Sequence, residues 1–517
     1  MSTTRYDQIR NGLRAVWVLA VIWLELGTFH FALHDCHWPD TRQPLIRDSR
    51  IVRLLVMADP QIIDRHSYPE RGALLSAISQ FMVDLNLRKS WNAAFHHLRP
   101  DVVVVLGDMM DNGRLSMSAD EYEAYFARYQ SIFTLEDNPV PTYYLPGNHD
   151  IGLGDAASFS LEADTRYTSH FGPRNYRRTI GNHTLVFIDA PALAEEDVVR
   201  AEFGHSYDTW PALQNGPAEF VKHIASTEPQ GSLVLFTHIP LARPIDSSCG
   251  PLREKGSIRQ GFGFGYQNTL MDGATEFLLE SLKPSLVMSG DDHDYCEYEH
   301  TIPSTNERVR EVTVKSISMA MGIRRPGFQL VSLTSTVPSP DQLTQIPVSP
   351  PLDAPCLLPD QLGIYLHIYI PLVVLSLILL LASNVMRLNA SPILQTWDKK
   401  RSRRDASEIP HEMAHRNGFS HDADTDEESI LPSPAIKHHT RPRGRSFSSP
   451  WTWTFMLGGQ RRRITLPNPC ASGRSRVEHR VAQQEVGLLR GFGEDVLAVA
   501  WPPVCVFIVA AWWVMHW

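Results

Sequence analysis

The sequence predicts a layered α/β domain held between two to three transmembrane helices. Between residues 51 and 336, short runs of branched apolar residues alternate with stretches of helical spacing, the pattern of strands covered by helices. Outside that window, runs such as 362–386 are too long and too free of charge for a soluble core. A third observation gives the domain a focus. The run Asp-Val-Val-Val-Val-Leu at 101–106 lies between Pro100 and Gly107-Asp108. Four valines in succession describe a strand buried on both faces. A carboxylate just past the carboxyl end of such a strand sits where open α/β sheets bind ligands.

Taken in chain order, residues 1–14, with Arg5, Arg10 and Arg14, form a cytosolic tail ahead of an apolar run at 15–33. A basic flank before an apolar run also marks signal peptides, but bulky residues 29–34 offer no small-x-small cleavage site. An uncleaved anchor is expected. Glu25 is costly in mid-span and should face a partner helix or water. Residues 34–50 read as a polar stalk. The domain at 51–336 opens with a strand at 51–57 ending in Ala58-Asp59-Pro60-Gln61. Residues 69–98 follow with helical spacing of Leu74, Ile78, Phe81 and Leu85.

After the valine strand come a helix at 118–133 and a strand at 141–145, which Pro146-Gly147-Asn148-His149-Asp150 closes. Strands are expected at 174–180 and 184–189, a helix at 217–224, and a strand at 232–237 ending at His238. Residues 261–265, Gly-Phe-Gly-Phe-Gly, do not have dinucleotide-fingerprint spacing and follow no strand, so they read as a flexible loop. A strand at 285–289 leads to Gly290-Asp291-Asp292-His293, and strands at 310–316 and 328–333 complete the domain.

Residues 337–361 turn rich in Pro, Ser and Thr and read as a linker. The second span, 362–386, tolerates His367 and Pro371. Residues 387–494, charged and without sustained periodicity, read as cytosolic and mostly disordered. The triplet Arg443-x-Arg445-x-x-Ser448 is too common a kinase pattern to carry weight. Residues 496–517 end in Trp512, Trp513 and Trp517, as an interfacial belt does. Pro502 and Pro503 leave a re-entrant hairpin or surface helix open beside a third span.

Arg387, Lys399, Lys400, Arg401, Arg403 and Arg404 follow the second span, which places that loop on the cytosolic side. The domain then faces the lumen. There Asn182-His183-Thr184 is a glycosylation sequon, with Asn182 the acceptor, whereas Asn389-Ala390-Ser391 stays unmodified. Cys36, Cys249, Cys296 and Cys356 share that oxidising side, and an even count permits two disulfides. A Cys36–Cys356 bridge would tie the membrane-proximal ends together, and buried free thiols are the alternative. A net charge of −9, with no long basic helix or aromatic-interleaved basic patch in the first half of the chain, argues against nucleic acid as a main partner.

Five strand ends carry metal-competent side chains: Asp59 with Gln61, Asp108 with Asp111, Asn148 with His149, His238, and Asp291 with His293. Singly each is weak, since a strand-end Asp is more often a helix cap and a lone His is usually just hydrogen-bonded. Jointly they describe a site of oxygen and imidazole ligands without thiolates, suited to Mn, Fe, Zn or Mg.

These motifs resemble the five of the calcineurin-like metallophosphoesterases: D-x-[HQ] at 59–61, GD-x-x-D-x-G at 107–113, GNH[DE] at 147–150, the later His238, and G-x-x-H at 290–293. The variants Ala58-Asp-Pro-Gln61 and 289–297, with the flanking spans, are similar to a membrane-bound fungal branch acting on GPI-anchor glycans and related to the mammalian post-GPI-attachment phosphoesterase. The resemblance implies two mixed β-sheets flanked by helices and two divalent ions, Mn by preference. Asp59, Gln61, Asp108 and His293 would hold one ion. Asp108, Asn148, His238 and Asp291 would hold the other. Gln61 and Asp291 stand where the family usually has His.

His149 would protonate the leaving oxygen, Asp150 would orient its ring, and Asp111 would support the ligands from behind. The implied activity is removal of ethanolamine phosphate from GPI-anchor mannose, with GPI-anchored proteins as substrates, at endoplasmic reticulum or Golgi membranes. A different lumenal phosphomonoesterase or nucleotidase is the alternative enzyme. A catalytically silent membrane adaptor, suggested by Gln61 and Asp291, is the alternative of another class.

Overall fold

The structure, a computed structural model, describes residues 3–42, 49–134, 139–154, 159–227, 231–336, 349–389, 451–457, 460–466 and 487–516. The chain forms two compact units, one of Thr3–Leu379 with Val496–Trp517 and one centred on Leu380–Asp495.

Among the described residues, three helices are long and apolar enough to cross a membrane: Tyr6–Leu33, Gln361–Arg387 and Leu488–His516. The first runs as α1 (Thr3–Ile22), a π-helical turn at Trp23–Gly27, and α2 (Thr28–Leu33). Glu25 lies in that turn and is buried. It meets the Lys89 ammonium at 2.6 Å and accepts from the Tyr369 hydroxyl at 3.0 Å. Its expected partner is therefore found partly on the second span and partly on the folded domain.

Within the domain, β1 (Ser49–Met57), α3 (Ala73–Leu98), β2 (Val102–Val105), α4 (Ala119–Phe133) and β3 (Thr142–Tyr144) come first. Then follow α5 (Asn148–Ile151), α6 (Ala163–Phe171), β4 (Tyr176–Ile180), β5 (His183–Phe187), α7 (Ala190–Glu202), α8 (Pro217–Ser226) and β6 (Ser232–Phe236). The short hairpin β7 (Phe262–Gly263) and β8 (Tyr266–Gln267) precedes α9 (Asp272–Leu282), β9 (Leu286–Ser289), β10 (Cys296–Thr301), β11 (Arg308–Thr313), β12 (Gly327–Thr336) and β13 (Leu352–Leu357). One five-stranded sheet has the order β13-β12-β1-β2-β3, and one six-stranded sheet the order β10-β11-β9-β6-β5-β4. Both are mixed: β1, β2 and β3 run parallel, while β12 pairs with β1 antiparallel.

The strand sequences explain the layering. Along β1 and β2, Leu54, Val56, Val102 and Val104 face a core shared with Phe187, Val234, Phe236 and Met288 of the second sheet. The alternate residues Leu55, Met57, Val103 and Val105 pack on Leu87, Trp91, Tyr125 and Tyr129 of α3 and α4. On the far side Val186, Leu235 and Val287 pack beneath α7, α8 and α9. Two sheets face to face, with helices outside each, require central strands apolar on every position, as the valine run is.

Four sequence expectations change. The described start of the 34–50 stalk, residues 34–42, is tied down: Trp38 donates to the Leu98 carbonyl at 2.9 Å, and Asp40 takes Arg53 at 2.9 Å and Ser332 at 2.6 Å. Residues 337–361 are not all linker, because β13 pairs antiparallel with β12 at the sheet edge, a position that accepts Pro355. The 261–265 loop is a hairpin, with Gly265 at φ +73 closing its turn. Last, α10 (Gln361–Ile364), a π turn at Tyr365–Tyr369 and α11 (Ile370–Asn389) form the second span, while 387–494 holds a hairpin of β14 (Trp451–Leu457) and β15 (Gln460–Leu466). The rest of 390–486, with the kinase triplet and most of the basic loop, lies outside the described residues.

The final helix, α12 (Leu488–His516), is continuous through Pro502 and Pro503. Pro502 has no N–H for the carbonyl four residues back. That carbonyl, Ala498, instead receives Arg14 Nε at 2.6 Å from the first span. Among the described residues two disulfides form, Cys36–Cys356 and Cys249–Cys296, the first joining the end of α2 to β13.

Candidate active site

The expected site residues sit on loops at the carboxyl ends of β1, β2, β3, β6 and β9, where the two sheets open toward one another. Their backbone is unusual. Asp59, Gln61, Asp108, Asp291 and His293 all have positive φ, between 35° and 66°. Non-glycine residues rarely adopt that region, and such strain concentrates where a site over-determines its ligands. Glycines make the close approach possible. A Cβ on Gly107 would fall 2.5 Å from His238 Nδ1, and one on Gly147 would fall 2.0 Å from Asp108 Oδ1.

Asp108 is the centre. Its Oδ1 lies 3.4 Å from His238 Nε2 and accepts the His149 N–H at 2.9 Å. Its Oδ2 accepts from Gln61 Nε2 at 2.7 Å, and that amide lies 3.3 Å from His293 Nε2. The two oxygens of one carboxylate thus face two separate groups of side chains. His238 Nδ1 donates to the Leu106 carbonyl at 2.6 Å, which turns Nε2 toward Asn148 Oδ1 at 3.1 Å and Asp291 Oδ1 at 3.5 Å. Asn148 is held amide-outward, its Nδ2 donating to the Gly265 carbonyl at 2.7 Å. Asp59 is fully buried, with Oδ1 on the Asp291 N–H at 3.1 Å and Oδ2 without a hydrogen-bond partner among the described residues.

The electrostatics call for a cation. Burial pushes Asp59 up, since a lone charge is costly there and Asp108 and Asp291 add to it. Burial also works against charge on Asp108, but His238 and His149 outweigh it and hold that carboxyl well below its usual range. For His238 burial is overcome by Asp108 and Asp291, which push it up. His293 is pulled down to about 4 by burial, so its ring is neutral near pH 7 and keeps a lone pair. An orphaned buried carboxylate oxygen beside converging carboxylates fits a divalent metal site. Asp59, Asp108 and His238 bring one ligand atom each within 4.8 Å of one another.

All nine expected catalytic or ligand residues lie in this region, but three have partners other than those anticipated. Gln61 presents its amide nitrogen, so it orients Asp108 as a donor and does not offer a ligand oxygen. Asp150 does not hold the His149 ring. Its carboxylate accepts the Gly147 and Met110 N–H groups at 2.9 and 3.2 Å, fixing the turn that carries Asn148. Burial, with Asp108 nearby, pushes Asp150 up to about 7. The ring is held by Asp111 instead, its carbonyl 2.5 Å from His149 Nδ1 and its carboxylate at 3.7 Å.

Asn182 lies apart, in the β4–β5 turn, half-buried and followed by buried His183 and Thr184. The sequence reading missed two contributors. Arg114 bonds the carbonyls of Asn148 and Gly265 at 3.2 and 2.8 Å, and the 262–267 hairpin supplies the Gly265 carbonyl that aims Asn148. The glycines alternating with Phe262 and Phe264 were the available signal, a turn chemistry rather than a loop composition.

Two stacked mixed sheets and a metal-competent cluster at their open edge are those of a metal-dependent phosphoesterase. Residues 52–295 match the calcineurin-like phosphoesterase family, and the chain belongs to that family. Among its relatives, Cell division control protein 1 of Saccharomyces cerevisiae is 32% identical over 350 residues, covering 66% of this chain and 67% of the yeast protein. Metallophosphoesterase 1 homolog of Drosophila melanogaster is 26% identical over 329 residues, 61% of this chain and 81% of its own length. Metallophosphoesterase 1 of Xenopus laevis is 26% identical over 342 residues, 62% and 79% respectively.

Proposed function

We propose that the chain is a membrane-bound dinuclear phosphodiesterase of the secretory pathway that removes ethanolamine phosphate from a mannose of GPI-anchor glycans. The observation that carries the chemistry is the split environment of Asp108, with Oδ1 toward His238 and Oδ2 toward Gln61 and His293. Asp59, Asp108 and His293 would hold one divalent ion, and Asp108, Asn148, His238 and Asp291 would hold the other. A carboxylate-rich set of this kind favours Mn. Such a metal pair would supply a nucleophile at neutral pH and neutralise the phosphate oxygens.

The chain's own groups do the rest. Gln61 and the His149 N–H hold the two oxygens of Asp108 apart, and the Gly265 carbonyl fixes which end of Asn148 faces inward. With Nδ1 engaged by Asp111, His149 delivers a proton from Nε2 to the leaving oxygen. The substrate assignment is supported by the resemblance of the motifs and by the membrane-length helices on either side of the domain, since a tethered site suits a tethered substrate. Asn182, on the same lumenal side, carries the glycan.

The test uses the purified full-length chain with Mn on a chromogenic phosphodiester, beside Asp108→Ala, followed by an ethanolamine-phosphate-bearing GPI glycan. Hydrolysis of both substrates by the native chain alone is expected. Equal rates in native and Asp108→Ala samples would return the chain to the adaptor class. Hydrolysis of phosphomonoesters but not the glycan would favour a lumenal phosphomonoesterase.

A further inference from the structure

The apolar stripe of α3 does not point where an amphipathic helix of a soluble domain would point it. Leu74, Ile78, Phe81 and Leu85 fall on one face, within an arc of roughly 60° at about 100° per residue. Leu85 is buried, yet Leu74 is 77% exposed and Ile78 and Phe81 are 49% and 42% exposed, with Leu75 beside them at 54%. Residues 72–83 carry no charged side chain.

What covers the second half of that face tells what covers the first. Leu85 packs on Leu26 of the first span and on Phe507, Ala511 and Val514 of the third. One turn further, Arg88 donates to the Met515 carbonyl at 3.2 Å, and Lys89 meets Glu25 at 2.6 Å over the Phe29 ring. Asn92 and His96 continue the stripe and, with Phe29 and Trp513, line a cavity against the same two spans. The face is therefore in contact with the apolar helices from Leu85 onward and continues toward the N-terminus uncovered by any described residue. Charged residues Glu70 and Arg71 come just before the helix, where Arg71 stacks on Tyr68.

We infer that the first three turns of α3, residues 73–82, are immersed in the lumenal leaflet as a monotopic helix. The occupant of the exposed stripe is lipid: acyl chain against Leu74, Leu75, Ile78 and Phe81, with Arg71 at headgroup level. Because α3 passes through Arg99 and Pro100 directly into β2, the strand that ends at Asp108, this helix sets the height of the active site above the bilayer. The inference rests on the reading that the three apolar helices cross a membrane.

The experiment needs no variant. The unmodified full-length chain, reconstituted in phosphatidylcholine vesicles, is labelled in parallel with a carbene-generating phospholipid and a water-soluble carbene precursor. Cleavage after Arg71 and Arg88 releases residues 72–88 as one peptide. Its adducts from the lipid-borne probe should exceed those from the aqueous probe at least about threefold, as for span peptides. Span peptides labelled from lipid with 72–88 labelled only from water would overturn the immersed helix, and would leave the stripe as a protein-docking face. Span peptides unlabelled from lipid would overturn the membrane reading itself.

Discussion

Replacing Gly147 by Ala isolates the contact on which the site closes. The backbone there, φ −104 and ψ 172, suits alanine as well as glycine, so the substitution introduces no conformational strain. It introduces a methyl 2.0 Å from Asp108 Oδ1 and 2.5 Å from the Asp108 nitrogen. Contacts under 3.0 Å are essentially never made by a real Cβ. Oδ1 must therefore retreat by about 1 Å, and a displacement of that size costs on the order of 10²-fold in rate where ligands and nucleophile must align. Turnover of a phosphodiester and metal content by mass spectrometry, measured on full-length protein, should fall together. Gly72→Ala is the control: φ is −61 and nothing lies within 4 Å of the new methyl, so neither quantity should change. A Gly147→Ala enzyme with native turnover and native metal content would refute the close packing of Gly147 on Asp108, and with it the argument that glycine is needed there.

Three further outcomes are expected of the same structure. His149→Ala should cut turnover on the order of 10²–10⁴-fold while metal content stays near native, and loss of metal would make His149 a ligand. Lys89→Met leaves buried Glu25 without its cation and should cost roughly 3–5 kcal/mol, read as a lowered unfolding midpoint in detergent, with Lys89→Met/Glu25→Gln recovering much of it. Burial pushes buried Glu311 up, but Arg243 and His300, with the Ser289 hydroxyl, hold it down to about 2 from 4.5. A depressed carboxyl contributes stability that is complete above its unfolded value and is lost as pH falls from about 4.5 to about 2. Glu311→Gln should therefore remove on the order of 3 kcal/mol of stability at pH 7 and flatten the acid limb of an unfolding titration in that window.

The strands and their ends were legible because burial on both faces leaves a simple trace. Val102–Val105 has no polar position to spend on solvent, and the ligands follow such strands at once. Orientation within the site was not legible. Asp150 is adjacent to His149 in sequence, yet its carboxylate turns back on the Gly147 and Met110 N–H groups, a local helix-start geometry that adjacency does not reveal. Gln61 and Asn148 carry the same amide, and only their neighbours decide which end faces inward. The α7 and α9 helices went unread because Ala190–Glu202 and Asp272–Leu282 mix charges with short apolar runs, and tertiary packing of one face supplies most of their stability. The stripe of α3 was found by its spacing, but periodicity alone cannot tell a face that meets a protein core from one that meets lipid. Pro355 and its Pro-rich flank hid β13, since an edge strand tolerates residues that a central one excludes.

Metal stoichiometry in native chain and in Asp108→Asn tests the central claim most directly. After loading with Mn and removal of free ions, the native chain should retain about two ions, and Asp108→Asn, which keeps the shape of the bridge and removes its charge, should retain fewer than one. A native chain that holds no ion, or an Asp108→Asn chain that holds both, would contradict a metal pair gathered on Asp108.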